Sequence, residues 1–223
     1  MAEQRRMHVD GFATLQWRQP DWVWLLGIAA FTVGWALSFN LWLRMSLAAL
    51  ITIGATSWVW PGWLAAAAAE WRKPLRPLLW GVGAGLVPAL TMHLLYPIAA
   101  TWLPALDAEV QTLYALLATP PGPWRAWPWM LLIVVAEELL WRGVAWQWLA
   151  RFTSDPKKRI AVTATAYALV QFASGHPLLV LVAWLLGTFW AWLRWRSATL
   201  GSAVVAHGLW NMLAFVLWPL HSP

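Results

Sequence analysis

The sequence predicts an all-α fold, a polytopic transmembrane bundle of about seven spanning helices. Three observations predict it. First, 61% of the 223 residues are hydrophobic and only 11% are charged, and a soluble domain of this size has too little interior for that much apolar surface. Second, the apolar residues gather in runs near the ~20 residues that cross a bilayer. Third, the net charge of +6 comes from short basic clusters between those runs. That is a topology signal rather than a nucleic-acid-binding face, so the lipid bilayer is the expected partner and nucleic acid is not. The chain has no cysteine, which excludes disulfides, thiolate metal sites and a cysteine nucleophile.

Residues 1–21 are polar and carry Arg5, Arg6 and Arg18. They form a cytoplasmic N-terminal segment in which Met7 to Trp17 reads as a short interfacial helix. The apolar stretch from Trp22 is too long for a signal-peptide core and lacks a small-residue cleavage site. Residues 22–120 hold the N-terminal transmembrane helices, with spans expected at 22–41, 45–69 and 78–100. Pro61-Gly62 interrupts the second span. Gly81, Gly83 and Gly85 lie in the third. They lack the strand-to-helix context of a nucleotide loop and read as a close helix contact. The longest loop follows, with Asp107 and Glu109. Residues 121–223 form the second part, with spans expected at 127–149, 160–176, 177–195 and 198–219. Gly175-His176-Pro177 marks a break between the fifth and the sixth. Most of the 23 tryptophans read as anchors and packing residues, because many flank apolar runs: Trp22, Trp24, Trp42, Trp58, Trp60, Trp127, Trp129 and Trp218.

Charge asymmetry sets the orientation. One side receives Arg5, Arg6, Arg18, Arg72, Lys73, Arg76, Arg151, Lys157, Lys158, Arg159, Arg194 and Arg196. The other receives only Arg44 and Arg125. The N-terminus is therefore expected in the cytoplasm and the C-terminus outside, in a bacterial inner membrane. The sequence carries no signal for an oligomeric state.

Polar residues inside three of the later spans resist a packing explanation. Glu137, Glu138 and Arg142 lie within Met130–Arg151. Ionisable groups at that depth are costly, and function is the default reading. Glu138 and Arg142 are i,i+4 and can neutralise one another. Glu137 is rotated by about 100° from Glu138 and needs a partner from elsewhere. His207 and Asn211 are also i,i+4, so they share a face; His176 ends the fifth span. At 1.5 Å per residue, Glu137 lies about 18 Å from its cytoplasmic end, His207 about 14 Å, Asn211 about 20 Å and His176 about 24 Å. The depths overlap near mid-membrane, so a single active site within the membrane is feasible if the fifth helix tilts. A carboxylate, two imidazoles and a carboxamide in a protected cavity suit hydrolysis: a desolvated glutamate activates water, and His and Asn donors stabilise an oxyanion. No cofactor is required, although a glutamate and two histidines also suit zinc. His8, His93 and His221 have no partner in the pattern.

At these residues the chain resembles the CPBP group of intramembrane proteases, which includes the Rce1-type CAAX prenyl endopeptidases and the Abi proteins of bacteriocin processing and self-immunity. The family's EExxxR stands as Glu137 to Arg142, its FxxxH as Phe172 to His176, and its HxxxN as His207 to Asn211. The likeness covers residues 125–215, within a protease core at 121–223. It implies a glutamate-dependent endopeptidase that hydrolyses a peptide bond in a lipidated or transmembrane peptide or protein tail. Candidate roles are CAAX-type processing, bacteriocin or pheromone maturation, and myxosortase-like trimming of sorting signals. By resemblance, Glu137 and His176 activate the water, His207 and Asn211 stabilise the oxyanion, and Glu138, Arg142 and Phe172 support the site. The alternative is a non-enzymatic immunity or scaffold protein. Other intramembrane chemistries fail on spelling. There is no HExxH, all four aspartates (Asp10, Asp21, Asp107 and Asp155) fall in expected loops, and Ser174-Gly175 lacks the first glycine of GxSG.

Overall fold

A computed structural model describes residue 22 and residues 25–72 and 75–221. The segment 1–21, with its expected interfacial helix and Arg5, Arg6, His8, Asp10, Arg18 and Asp21, lies outside the described residues, as do Trp24, Lys73 and the side chain of Arg76. Among the described residues every regular element is helical. The elements are α1 (Leu25–Ala36), α2 (Leu41–Val59), α3 (Trp63–Glu70), α4 (Leu75–Trp102), α5 (Pro104–Leu117), α6 (Pro123–Glu138), α7 (Trp146–Leu149), α8 (Pro156–Gln171), α9 (Pro177–Ser197) and α10 (Leu200–Met212). A π-helical stretch, Leu139–Ala145, joins α6 to α7 without a break, and a second, Leu213–Leu217, extends α10.

Local chemistry explains most of the boundaries. Pro123, Pro156 and Pro177 each occupy the first turn of a helix, where a missing N–H costs nothing. Asn40 caps α2 by accepting from Leu43, and Asp155 caps α8 by accepting from Lys157. Gly62 ends the long second run by taking a left-handed conformation, φ 92°. The expected span 45–69 is therefore two helices, α2 and α3. The expected loop after the third span is also corrected: α5 occupies it and carries Asp107 and Glu109 on a helix.

Among the described residues four segments are long and apolar enough to cross a membrane: Leu41–Val59, Pro77–Trp102, Pro177–Ser197 and Leu200–Leu217. The chain is an integral membrane protein. The fourth expected span, 127–149, is one continuous winding from α6 through the π stretch to α7. The first and fifth correspond to the shorter α1 and α8.

The centre of the bundle is α10, which packs on α4, α6 and α9. Its contact with α4 depends on the glycines expected to allow close approach. A Cβ on Gly81 would lie 2.5 Å from Val205 Cβ, and one on Gly85 would lie 2.8 Å from the Ala206 carbonyl oxygen, whereas Gly83 faces open space. Some charges and tryptophans depart from expectation. Arg44 and Arg194, counted as loop charges, are buried; they donate to the carbonyls of Trp35 and Arg142. Trp42 and Trp60, expected as interfacial anchors, are in the core, while Trp22, Trp58, Trp127, Trp129 and Trp218 are exposed as anchors should be.

Candidate active site

The two adjacent glutamates end α6, where the chain passes into the π stretch. Wider π turns are rare and concentrate at functional sites. Glu138 and Arg142 form the expected i,i+4 pair, with Arg142 Nη1 donating to Glu138 Oε1 at 3.1 Å. Arg142 is fully buried. Its Nη2 donates to the Gly187 carbonyl at 2.9 Å, and its guanidinium lies 5.0 Å from the Tyr167 ring centre and 5.7 Å from that of Trp190. Such wedging between aromatic faces suits a cation removed from water.

His207 bridges the two carboxylates. Glu138 Oε1 accepts from His207 Nδ1 at 2.8 Å, and His207 Nε2 stands 3.8 Å from Glu137 Oε2. The imidazole stacks on Trp190, with ring centres 4.1 Å apart. Glu137 accepts from the Tyr167 hydroxyl at 3.3 Å. With Glu138 accepting from Nδ1, Nε2 is the ring nitrogen that faces Glu137. Arg142 offsets one of the two carboxylate charges.

These groups open onto a cavity of about 140 Å³ lined by Glu137, Tyr167, Gln171, Trp190, His207 and Asn211, with leucine, methionine and tryptophan side chains completing the wall. One water needs roughly 15 Å³ of such space, so a water and part of a substrate fit together. Asn211 lies one turn beyond His207, as expected, and lines the same cavity.

The other two expected residues lie elsewhere. His176 precedes α9 and sits 3.3 Å from Glu109 of α5 through its Nδ1; it does not line the cavity. Phe172 opens a single 3₁₀ turn, is 64% exposed and does not line the cavity. Residues absent from the motifs complete the site: Tyr167, Gln171, Trp190 and the Gly187 carbonyl. A signal for two of them was present. Thr163, Tyr167 and Gln171 recur every four residues and are all buried, a polar stripe on one face of α8. Trp190 was hidden by the abundance of tryptophan. Among the described residues no group of three or more His, Cys, Asp or Glu side chains is arranged to hold a metal ion.

Fold and site together define an integral membrane protein with a carboxylate–imidazole centre in its helical core. Residues 119–213 match the family model described as type II CAAX prenyl endopeptidase, Rce1-like. The matched segment is similar to that protease family and contains all three motifs. No curated protein and no solved structure matches the chain.

Proposed function

We propose that the chain is an intramembrane endopeptidase that hydrolyses a peptide bond near the end of a lipidated or membrane-embedded substrate. The observation that carries this reading is the placement of Glu137 in an apolar cavity, 3.8 Å from His207 Nε2, with Asn211 lining the same cavity. Water held at Glu137 attacks the substrate carbonyl carbon and gives one proton to the Glu137–His207 pair. The Asn211 amide, and Nε2–H of His207 once protonated, donate to the tetrahedral oxyanion. The C–N bond then breaks, and the captured proton passes to the leaving amine. Glu138 and Arg142 hold His207 in register. Tyr167 holds Glu137.

Water activation by His176 requires its release from Glu109 and an inward turn at the start of α9. The family match favours a prenylated C-terminal tail over a bacteriocin-type or sorting-signal substrate. The bilayer supplies such tails laterally, in a bacterial inner membrane with the N-terminus in the cytoplasm.

Co-expression of the Glu137→Gln variant with a tagged proteome tests the reading. The variant should retain uncleaved membrane-anchored substrates that the wild-type chain releases as shortened products, seen by mass spectrometry of their C-termini. Identical C-termini in both cells would show that Glu137 performs no cleavage and would leave a scaffold or immunity role.

A further inference from the structure

Gln171 stands one turn beyond Tyr167 on α8 and lines the cavity that holds Glu137. It is 2% exposed, and its Oε1 has no hydrogen-bond partner among the described residues. Interior polar atoms are nearly always paired. Nε1 of Trp190 and Nε1 of Trp35, two other residues that line the cavity, also lack partners. The indoles are donors only, and a carboxamide oxygen is an acceptor. A carboxamide and two indole N–H groups on residues around one apolar cavity match the C=O and N–H of a peptide unit. A lipid chain or an apolar side chain has no use for them. An extended peptide that enters the membrane interior, conversely, must find partners for its own main chain.

We propose that Gln171 is a substrate-binding residue whose side-chain amide pairs with a main-chain peptide group of the substrate next to the bond that is cut. This rests on the peptidase reading and adds to it a recognition element that is independent of substrate side chains. Because Gln171 has no internal partner for Oε1, replacing it with leucine removes a buried polar group without breaking a side-chain bond made by that atom.

The test uses the full chain in liposomes and a fluorescent peptide ending in a farnesylated cysteine followed by three residues, two of them aliphatic. Its counterpart has an ester in place of the amide adjacent to the cleaved bond. Binding is measured in the Glu137→Gln background, so the readout does not depend on turnover. Gln171→Leu should weaken peptide binding about tenfold, the worth of one buried hydrogen bond, with an unchanged or higher Tm. The ester should bind about tenfold more weakly than the amide to the parent but equally to Gln171→Leu. An unchanged Kd, an ester effect that persists in Gln171→Leu, a fall in Tm of several degrees, or no peptide binding by the parent overturns the proposal. Gln171-dependent binding with no cleavage by the chain carrying Glu137 overturns the peptidase reading and leaves Gln171 as a peptide-binding residue only.

Discussion

Glu138 Oε1 serves two donors, Arg142 Nη1 and His207 Nδ1, so the arginine fixes the imidazole through the carboxylate. Arg142→Ala leaves Glu138 buried without its cation, and removing one partner of a buried pair costs about 3–5 kcal/mol. Thermal unfolding in detergent should show that loss together with loss of activity; a stable, inactive Arg142→Ala protein would assign the guanidinium a direct part in the reaction. Tyr167→Phe removes the hydroxyl that donates to Glu137 and nothing else. It should lower kcat by about tenfold, in line with one hydrogen bond, while Tm stays within a degree or two. The Glu138–Arg142 pair was legible in the sequence because four-residue spacing puts both on one helical face. The partners of Glu137 were not. Tyr167 and His207 come from other helices, and no local spacing encodes which helices meet. His176 shows the same gap: its Glu109 partner lies on α5, a helix in a segment too polar to read as one from sequence.

At the scale of elements, α10 carries His207 and Asn211, and its start is held from the N-terminal half of the chain. The two carboxylate oxygens of Glu70, at the end of α3, accept from Leu200 N at 2.9 Å and Gly201 N at 2.8 Å. A carboxylate at a helix N-terminus satisfies free N–H groups and opposes the helix dipole. Glu70→Ala should lower stability by about 1–3 kcal/mol, read by thermal unfolding. The far end of the chain is held differently. Asp107 of α5 accepts from Tyr96 and lies 3.1 Å from His221 Nε2, while Leu220 N donates to Tyr114. The Tyr96 hydroxyl, then His221, hold the Asp107 carboxyl below its ordinary value. The contribution is therefore present above the unfolded value of about 3.9 and fades as pH falls through the lower folded value. Hydrogen exchange at Leu220 should accelerate in Asp107→Asn at neutral pH, and in the parent only at strongly acidic pH. Neither clamp could be read in advance, since each joins residues more than a hundred positions apart.

Across the whole molecule, the hydrophobic runs marked the helices well because each nearly fills a bilayer width. They misled where a run contained a turn, as at Trp60 to Gly62, and where a helix was too polar to register, as in α5. The absence of cysteine makes the topology directly testable. Single cysteines at Ser154, before α8, and at Ala118, after α5, should label from opposite sides of the membrane, Ser154→Cys from the cytoplasm and Ala118→Cys from outside. Labelling of both from one side would contradict the alternating arrangement. The central claim is that Glu137 activates water for peptide hydrolysis inside the bundle. Its most direct test is the single-turnover cleavage rate of a substrate captured on Glu137→Gln, measured with purified wild-type and variant chains of equal Tm in the same liposomes. The account predicts cleavage by the wild-type chain and a loss of at least about a hundredfold in the variant. Equal rates in the two chains would contradict it.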